Sequence, residues 1–216
     1  MRRIMLLNPK GGCGKSTLAT NLASYYADAG HYVVLADFDR QGSSMDWLSM
    51  RPEDRPKIHG FLVEDDDFLV PHGPGYLIMD APAATHGKTL SRHIKKAHTV
   101  IIPVLPSPMD IRATARFIQE LLVIGRISRE RTRIAVVANR VREHTLIYQS
   151  LRKFLSSLGI PFLATIRDSQ NYIHAAERGL GIFELPPSLV RKDLEQWQAV
   201  TDWLGSVDSL PIEKKR

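Results

Sequence analysis

A single cysteine, Cys13, stands in 216 residues. One thiol closes no intrachain disulfide and supplies no cysteine-rich metal site. The eight histidines are scattered, without the spacing that metal ligation needs. No apolar run approaches the roughly 20 residues of a membrane span. Met1-Arg2-Arg3 leads straight into an apolar strand pattern, so no signal peptide is expected and the cytoplasm is the expected compartment. There is no internal repeat and no low-complexity segment. What is present is ordinary for a globular protein: 44% apolar and 24% charged residues. The length predicts one domain over 1–216, with 210–216 as a flexible tail and a core that needs no staples.

The net charge of +6 is unevenly placed. Between Arg126 and Lys153 lie eight basic residues (Arg126, Arg129, Arg131, Arg133, Arg140, Arg142, Arg152, Lys153) against Glu130 and Glu143. That excess equals the charge of the whole chain. It is either a solvated basic face or a surface for a polyanion such as nucleic acid.

The chain is organised around Asn8-Pro9-Lys10-Gly11-Gly12-Cys13-Gly14-Lys15-Ser16-Thr17. Ile4 to Leu7 precedes it as an apolar strand, and Leu18, Leu22, Ala23 and Tyr26 follow at helical spacing. Strand, glycine-rich loop and helix form a phosphate cradle. The glycines let several backbone N–H groups face one anion, and the helix start adds its positive dipole end. Gly11, Gly12, Cys13, Gly14, Lys15, Ser16 and Thr17 are the expected phosphate contacts. Lys15 reaches the β- and γ-phosphates, and the Ser16 hydroxyl ligates Mg²⁺.

Further strands follow in an alternating α/β pattern. Residues 15–29 read as a helix ended by Gly30, then Tyr32 to Ala36 as a strand ending in Asp37-Phe38-Asp39. Residues 43–50 read as helix, and 58–63 as a short edge strand in a proline- and acid-rich stretch. Tyr76 to Met79 ends in Asp80, the shape of a strand whose terminal carboxylate holds Mg²⁺. Ala83 to Gly87 reads as a flexible, nucleotide-sensing loop. A strand over 99–104 precedes a helix over 110–124. The strand over 133–138 ends in Asn139-Arg140, where a side-chain amide can pair with adenine. Residues 162–166 form the last strand, and 172–178 read as helix. A final helix is capped by Ser188 and closed by Gly205, and its stripe of Val190, Leu194, Trp197, Val200 and Leu204 packs on the domain. Asp193, Glu195 and Asp202 disfavour its lying on an anionic bilayer. The whole predicts a doubly wound, mostly parallel sheet flanked by helices, with the ligand at the carboxyl ends of the strands.

The loop departs from the common G-x-x-x-x-G-K-[ST] form, with Pro9 at the first glycine position. It resembles instead the K-G-G-x-G-K-[ST] loop of the ParA/MinD family of deviant Walker A ATPases. The likeness extends to Asp37-Phe38-Asp39, the Asp80 strand and Val100 to Pro108, and is nearest to the compact ParF-like members. The resemblance implies a P-loop NTPase fold and ATP with Mg²⁺. Asp39 is implied to position the attacking water, and Ser16, Asp37 and Asp80 to serve the metal. Asn139, Arg140 and Pro186 join the nucleotide-binding set. Lys10 is implied to cross a dimer to the partner's phosphates, making Lys10, Lys15 and Asp39 the catalytic group. Also implied are an ATP-dependent homodimer, non-specific DNA binding on the nucleoid, a ParB-like or small adaptor that stimulates hydrolysis, and a cargo such as a plasmid, chromosome region or carboxysome. Arg140, Arg142, Arg152, Lys153 and Arg167 are the candidate DNA contacts. Arg40 replaces a usual proline. A MinD-like membrane regulator, a dethiobiotin-type synthetase and a turnover-dead scaffold are the rival readings.

Overall fold

The computed structural model describes residues 1–64, 69–70, 72–83, 85–125 and 132–212, with the backbone alone for 122–125. Arg126, Arg129, Glu130 and Arg131 of the basic segment, and Ala84 of the sensing loop, lie outside the described residues.

Seven strands form one sheet in the order β3-β2-β4-β1-β5-β6-β7. They are β1 (Arg2–Leu6), β2 (Val33–Asp37), β3 (His59–Leu62), β4 (Tyr76–Asp80), β5 (Thr99–Val104), β6 (Arg133–Val141) and β7 (Phe162–Arg167). Every neighbouring pair is parallel. Parallel strands need crossovers, and helices supply them: α1 (Lys15–Asp28), α2 (Ser43–Ser49), α3 (Gly87–Lys96), α4 (Pro108–Gly125), α5 (Leu146–Ser157), α6 (Gln170–Ala176) and α7 (Pro187–Gly205). The central strands are buried on both faces and so are continuously apolar, β5 being buried at every position.

Alternation along each strand divides the core into two layers. Ile4, Leu6 and Leu35 pack with α1 and α7, and Trp197 is fully buried there. Its indole N–H donates to the Tyr172 hydroxyl at 3.0 Å. Met5, Leu7 and Val100 pack on the other side with Leu90 and Ile94 of α3, Phe117 of α4 and Leu151 of α5. Burying each such side chain contributes about 1.5–3 kcal/mol.

Two helices are absent from the sequence reading. α3 holds only two core apolar positions, Leu90 and Ile94, too few for a periodic pattern. It also takes Gly87 out of the expected loop, and Thr85 just before it is buried with its hydroxyl on the Pro82 carbonyl. α5 lies inside the basic segment, where charge masked Leu151 and Leu155. A third correction concerns α7. It begins with Pro187 at its first turn, behind Pro186, so Ser188 is inside the helix and not its cap. The expected tail is anchored at its start, because the Leu210 carbonyl accepts from Arg133 Nε at 3.0 Å. Among the described residues no helix is long and apolar enough to cross a membrane.

Candidate nucleotide site

The parallel register decides which groups meet. Asp37 pairs with Asp80 across β2 and β4, and Leu6 pairs with Asp80 across β1 and β4. Both carboxylates and the loop after β1 therefore open on the same edge of the sheet.

The loop is built by backbone geometry. Gly12 and Gly14 adopt φ of 73° and 94°, which side chains resist. A Cβ on Gly14 would lie 2.1 Å from Asn139 Nδ2. Gly11 and Gly12 are exposed with open space where a Cβ would stand, so an anion can approach the backbone closely. Two asparagines brace the loop. Buried Asn8 donates to the Pro103 carbonyl at 2.6 Å and accepts from the Lys10 N–H at 2.9 Å. Buried Asn139 donates to the Cys13 carbonyl at 2.8 Å. Cys13 is fully buried, donates to the Lys10 carbonyl, and burial pushes its thiol pKa up, so it packs the loop.

The two loop lysines part company. Lys15 is buried, lines the cleft, and donates through Nζ to the Lys10 carbonyl at 3.2 Å. Lys10 is half-buried and is not among the residues lining its own chain's cleft.

The acids also divide by task. Asp37 accepts the Asp39 N–H on Oδ1 and the Ser44 N–H on Oδ2, each at 2.9 Å. It holds the turn between β2 and α2, and its charge lies close enough to Asp80 to help raise that carboxyl's pKa. Asp39 lines the cleft, with Oδ1 on the Gln41 N–H and Oδ2 uncommitted. Asp80 is buried; Oδ2 takes the Ser44 hydroxyl at 2.6 Å, and Oδ1 has no hydrogen-bond partner. Burial raises its pKa to about 6, although the nearby hydroxyls of Ser16 and Ser44 and the charge of Lys15 pull it back part of the way. An orphaned buried carboxylate oxygen costs free energy unless something charged or hydrogen-bonding completes it. Oxygen donors from Asp80 and Ser16 beside a phosphate cradle suit Mg²⁺, so the residues present fit that ion.

The cleft encloses about 810 Å³ and runs from the loop to the ends of β6 and β7. Its far wall is formed by Ile166, Tyr172, Ile173 and Ala176, none of which the sequence reading singled out. They come from β7 and α6, far from the loop in sequence, and nothing local marks them. Arg140 lines the cleft with φ of 51° and faces Asp168 at 3.7 Å. Arg142 reaches the same carboxylate at 3.2 Å. Arg167 also lines the cleft, and its guanidinium, one third exposed, is held by fully buried Asp193 at 2.7 and 2.9 Å. Pro186 is not among the lining residues. Arg152 and Lys153 are exposed on α5, away from the cleft.

Known proteins carry the same framework. The chain is 26% identical over 189 residues to the maintenance of carboxysome distribution protein A of Halothiobacillus neapolitanus, covering 84% of this chain and 87% of that one. It superposes on a Cyanothece McdA variant in complex with ATP with a TM-score of 0.67 at 16% identity, covering 100% and 98% of the two chains. The Pyrococcus horikoshii septum site-determining protein MinD, complexed with Mg-ADP, gives a TM-score of 0.68 at 14% identity over 96% and 98%. The family model for the CobQ/CobB/MinD/ParA nucleotide-binding domain matches residues 4–182, and with the loop, Asp39 and Asp80 placed as above, the chain belongs to that family.

Proposed function

We propose that the protein is a ParA-type ATPase that pairs around ATP and Mg²⁺, binds DNA without sequence preference, and positions or partitions a cargo under the control of a stimulating partner. The observation that carries this reading is the division of the two loop lysines, one inside the cleft and one outside it. Lys15 neutralises phosphate charge within its own chain. Lys10 is left to act on a second chain's nucleotide, so that the γ-phosphate supplies charge shared by two lysines. The ATP complex and the Mg-ADP complex of the two structural neighbours support the choice of ligand.

Ser16 and Asp80 would hold Mg²⁺, which when bound supplies positive charge to the β- and γ-phosphate oxygens. Water orientated by the Asp39 carboxylate attacks the γ-phosphorus, the bond to the β-phosphate oxygen breaks, and ADP and phosphate leave. Loss of the γ-phosphate removes the charge that Lys10 and Lys15 share and releases the pair. The carboxysome relative supports a protein-assembly cargo and the chromosome-partitioning relatives a DNA cargo, and a ParB-like protein or small adaptor is the expected stimulator.

Sedimentation of the purified protein with a non-hydrolysable ATP analogue and Mg²⁺ tests the reading. A monomer-to-dimer shift is expected, lost in Lys10→Ala. Asp39→Ala should still dimerise while phosphate release falls about 100-fold. A wild-type protein that stays monomeric at saturating nucleotide overturns the proposal.

A further inference from the structure

We infer that the layer formed by α3, α4 and α5 is the face that lies along a nucleic-acid backbone, with Lys88 and Lys95 of α3 and Arg112 and Arg116 of α4 making phosphate contacts. The inference rests on the DNA-binding reading above and moves its surface to new residues.

The two sides of the sheet differ in charge. α3, α4 and α5 carry eight basic residues and two acids, whereas α1, α2, α6 and α7 carry three basic residues and five acids. The two acids of the basic layer are already engaged. Asp110 is buried and accepts from the Ser107 hydroxyl. Glu120 accepts the Gly87 N–H at 3.2 Å and faces His86 at 3.4 Å. Glu120 thereby ties α4 to the first turn of α3 and sets the two helices side by side.

Core packing decides which way the cations face. Leu90 and Ile94 of α3 are buried against the sheet, which leaves Lys88 and Lys95 exposed on the outer side. Phe117 and Leu121 of α4 are buried, and Arg112 and Arg116 are exposed. Among the described residues no carboxylate lies within ion-pair distance of Lys88, Lys95, Arg112 or Arg116. The pairs Arg140 and Arg142 with Asp168, and Arg167 with Asp193, are by contrast committed to carboxylates.

An extended polyanion fits this layer better than a bilayer. Among the described residues, Leu90 and Ile94 of α3 and Phe117, Ile118 and Leu121 of α4 are buried in the core and cannot enter a membrane. Among the described residues, the large apolar side chains that the layer exposes, Met109 and Leu146, sit at helix starts and form no stripe. The cations are spread over adjacent helices instead of converging on one point, which suits a regularly charged polymer. They fall between Lys88 and Arg116 on two helices separated by the buried strand β5, and only the packing of those helices shows which of their cations face outward.

The test uses the full chain with the ATP analogue, Mg²⁺ and a random-sequence duplex, titrated at several salt concentrations. The charge-reversed Lys88→Glu, Lys95→Glu, Arg112→Glu, Arg116→Glu protein should bind at least tenfold more weakly at 100 mM salt. The slope of log affinity against log salt should fall by about 3–4, roughly one phosphate contact per cation. Retained nucleotide-dependent dimerisation checks the fold, and a set with glutamine at the same four positions replaces the reversal if that protein does not fold. If the wild type binds the duplex and the variant binds it equally, the surface is wrong while the DNA reading stands. If the wild type binds no duplex, the DNA reading itself falls. Binding of the wild type to phosphatidylglycerol vesicles or to polyglutamate, lost in the variant with DNA binding intact, also overturns the inference.

Discussion

The two edges of the sheet make a comparison. At the amino edge, Arg2 donates to the Thr99 hydroxyl and to Ser209 at 2.7–2.8 Å, and Arg3 lies 2.6 Å from His98 Nε2. Neutral groups take several of these donors, while Arg2 Nη1 and Arg3 Nε stay buried without a hydrogen-bond partner. At the carboxyl edge, Lys15 rests on a backbone carbonyl, Asp80 keeps an unpartnered oxygen, and glycine N–H groups open on a cleft of about 810 Å³. At one edge the cations rest on neutral groups of the fold, and at the other the charged groups line an open cleft. Both are built of the same strands, so the difference lies in what the loops bring.

The largest effect should come from emptying the carboxyl edge of its cation. Lys15→Ala is expected to cut ATP turnover by at least about 100-fold with little loss of fold, measured by phosphate release. Gly14→Ala strikes the loop's geometry. Its Cβ would meet Asn139 Nδ2 at 2.1 Å in a backbone conformation with φ of 94°, so a loss of about 2–4 kcal/mol is expected in denaturant unfolding. If stability is unchanged, Asn139 is not a brace.

Asp80→Asn separates function from stability. The folded carboxyl has a pKa of about 6 against the usual 3.8, so the fold favours the protonated form. Its contribution is complete below about pH 4 and is lost as the pH rises through about 6. The neutral amide should therefore stabilise the ligand-free protein by about 2 kcal/mol at pH 7.5, while removing the further stabilisation given by Mg²⁺ with nucleotide. A thermal scan with and without ligand reads both. A variant no more stable than wild type would mean that Asp80 carries no strain.

The amino edge should respond with the opposite sign and the smallest size. Burial, then the charges of Arg3 and Arg2, lower the His98 pKa to about 4 from 6.5. The fold favours neutral His98, so its contribution is present above about pH 6.5 and fades as the pH falls toward 4. After screening at this half-buried site, about 1 kcal/mol should be lost over that range, and His98→Gln should flatten the loss. ATP turnover at neutral pH should not change.

Much of the fold was legible because its signals are local. Apolar runs that end in Asp37, Asp80 and Asn139 announce strands feeding a common edge, and Lys10 to Thr17 announces the loop. Asp39 and Lys15 line the cleft as their positions predicted. Two acids at one strand end look alike in sequence, and only the turn shows that Asp37 takes two backbone N–H groups while Asp39 lines the cleft. The ion pair of Arg167 was illegible for a similar reason, since its partner Asp193 is 26 residues away. The wall of Ile166, Tyr172 and Ile173 had no marker at all.

Composition, the glycine spacing and the strand-terminal acids determined by themselves the fold class, the phosphate cradle and the lysine inside it, because these depend on neighbours a few residues apart. Which carboxylate stays free, which arginine is already paired, and how charge is shared between the two sides of the sheet were decided only by tertiary structure. Those properties depend on partners that the chain brings together from distant segments, and a free charge differs from a spent one only in what stands next to it.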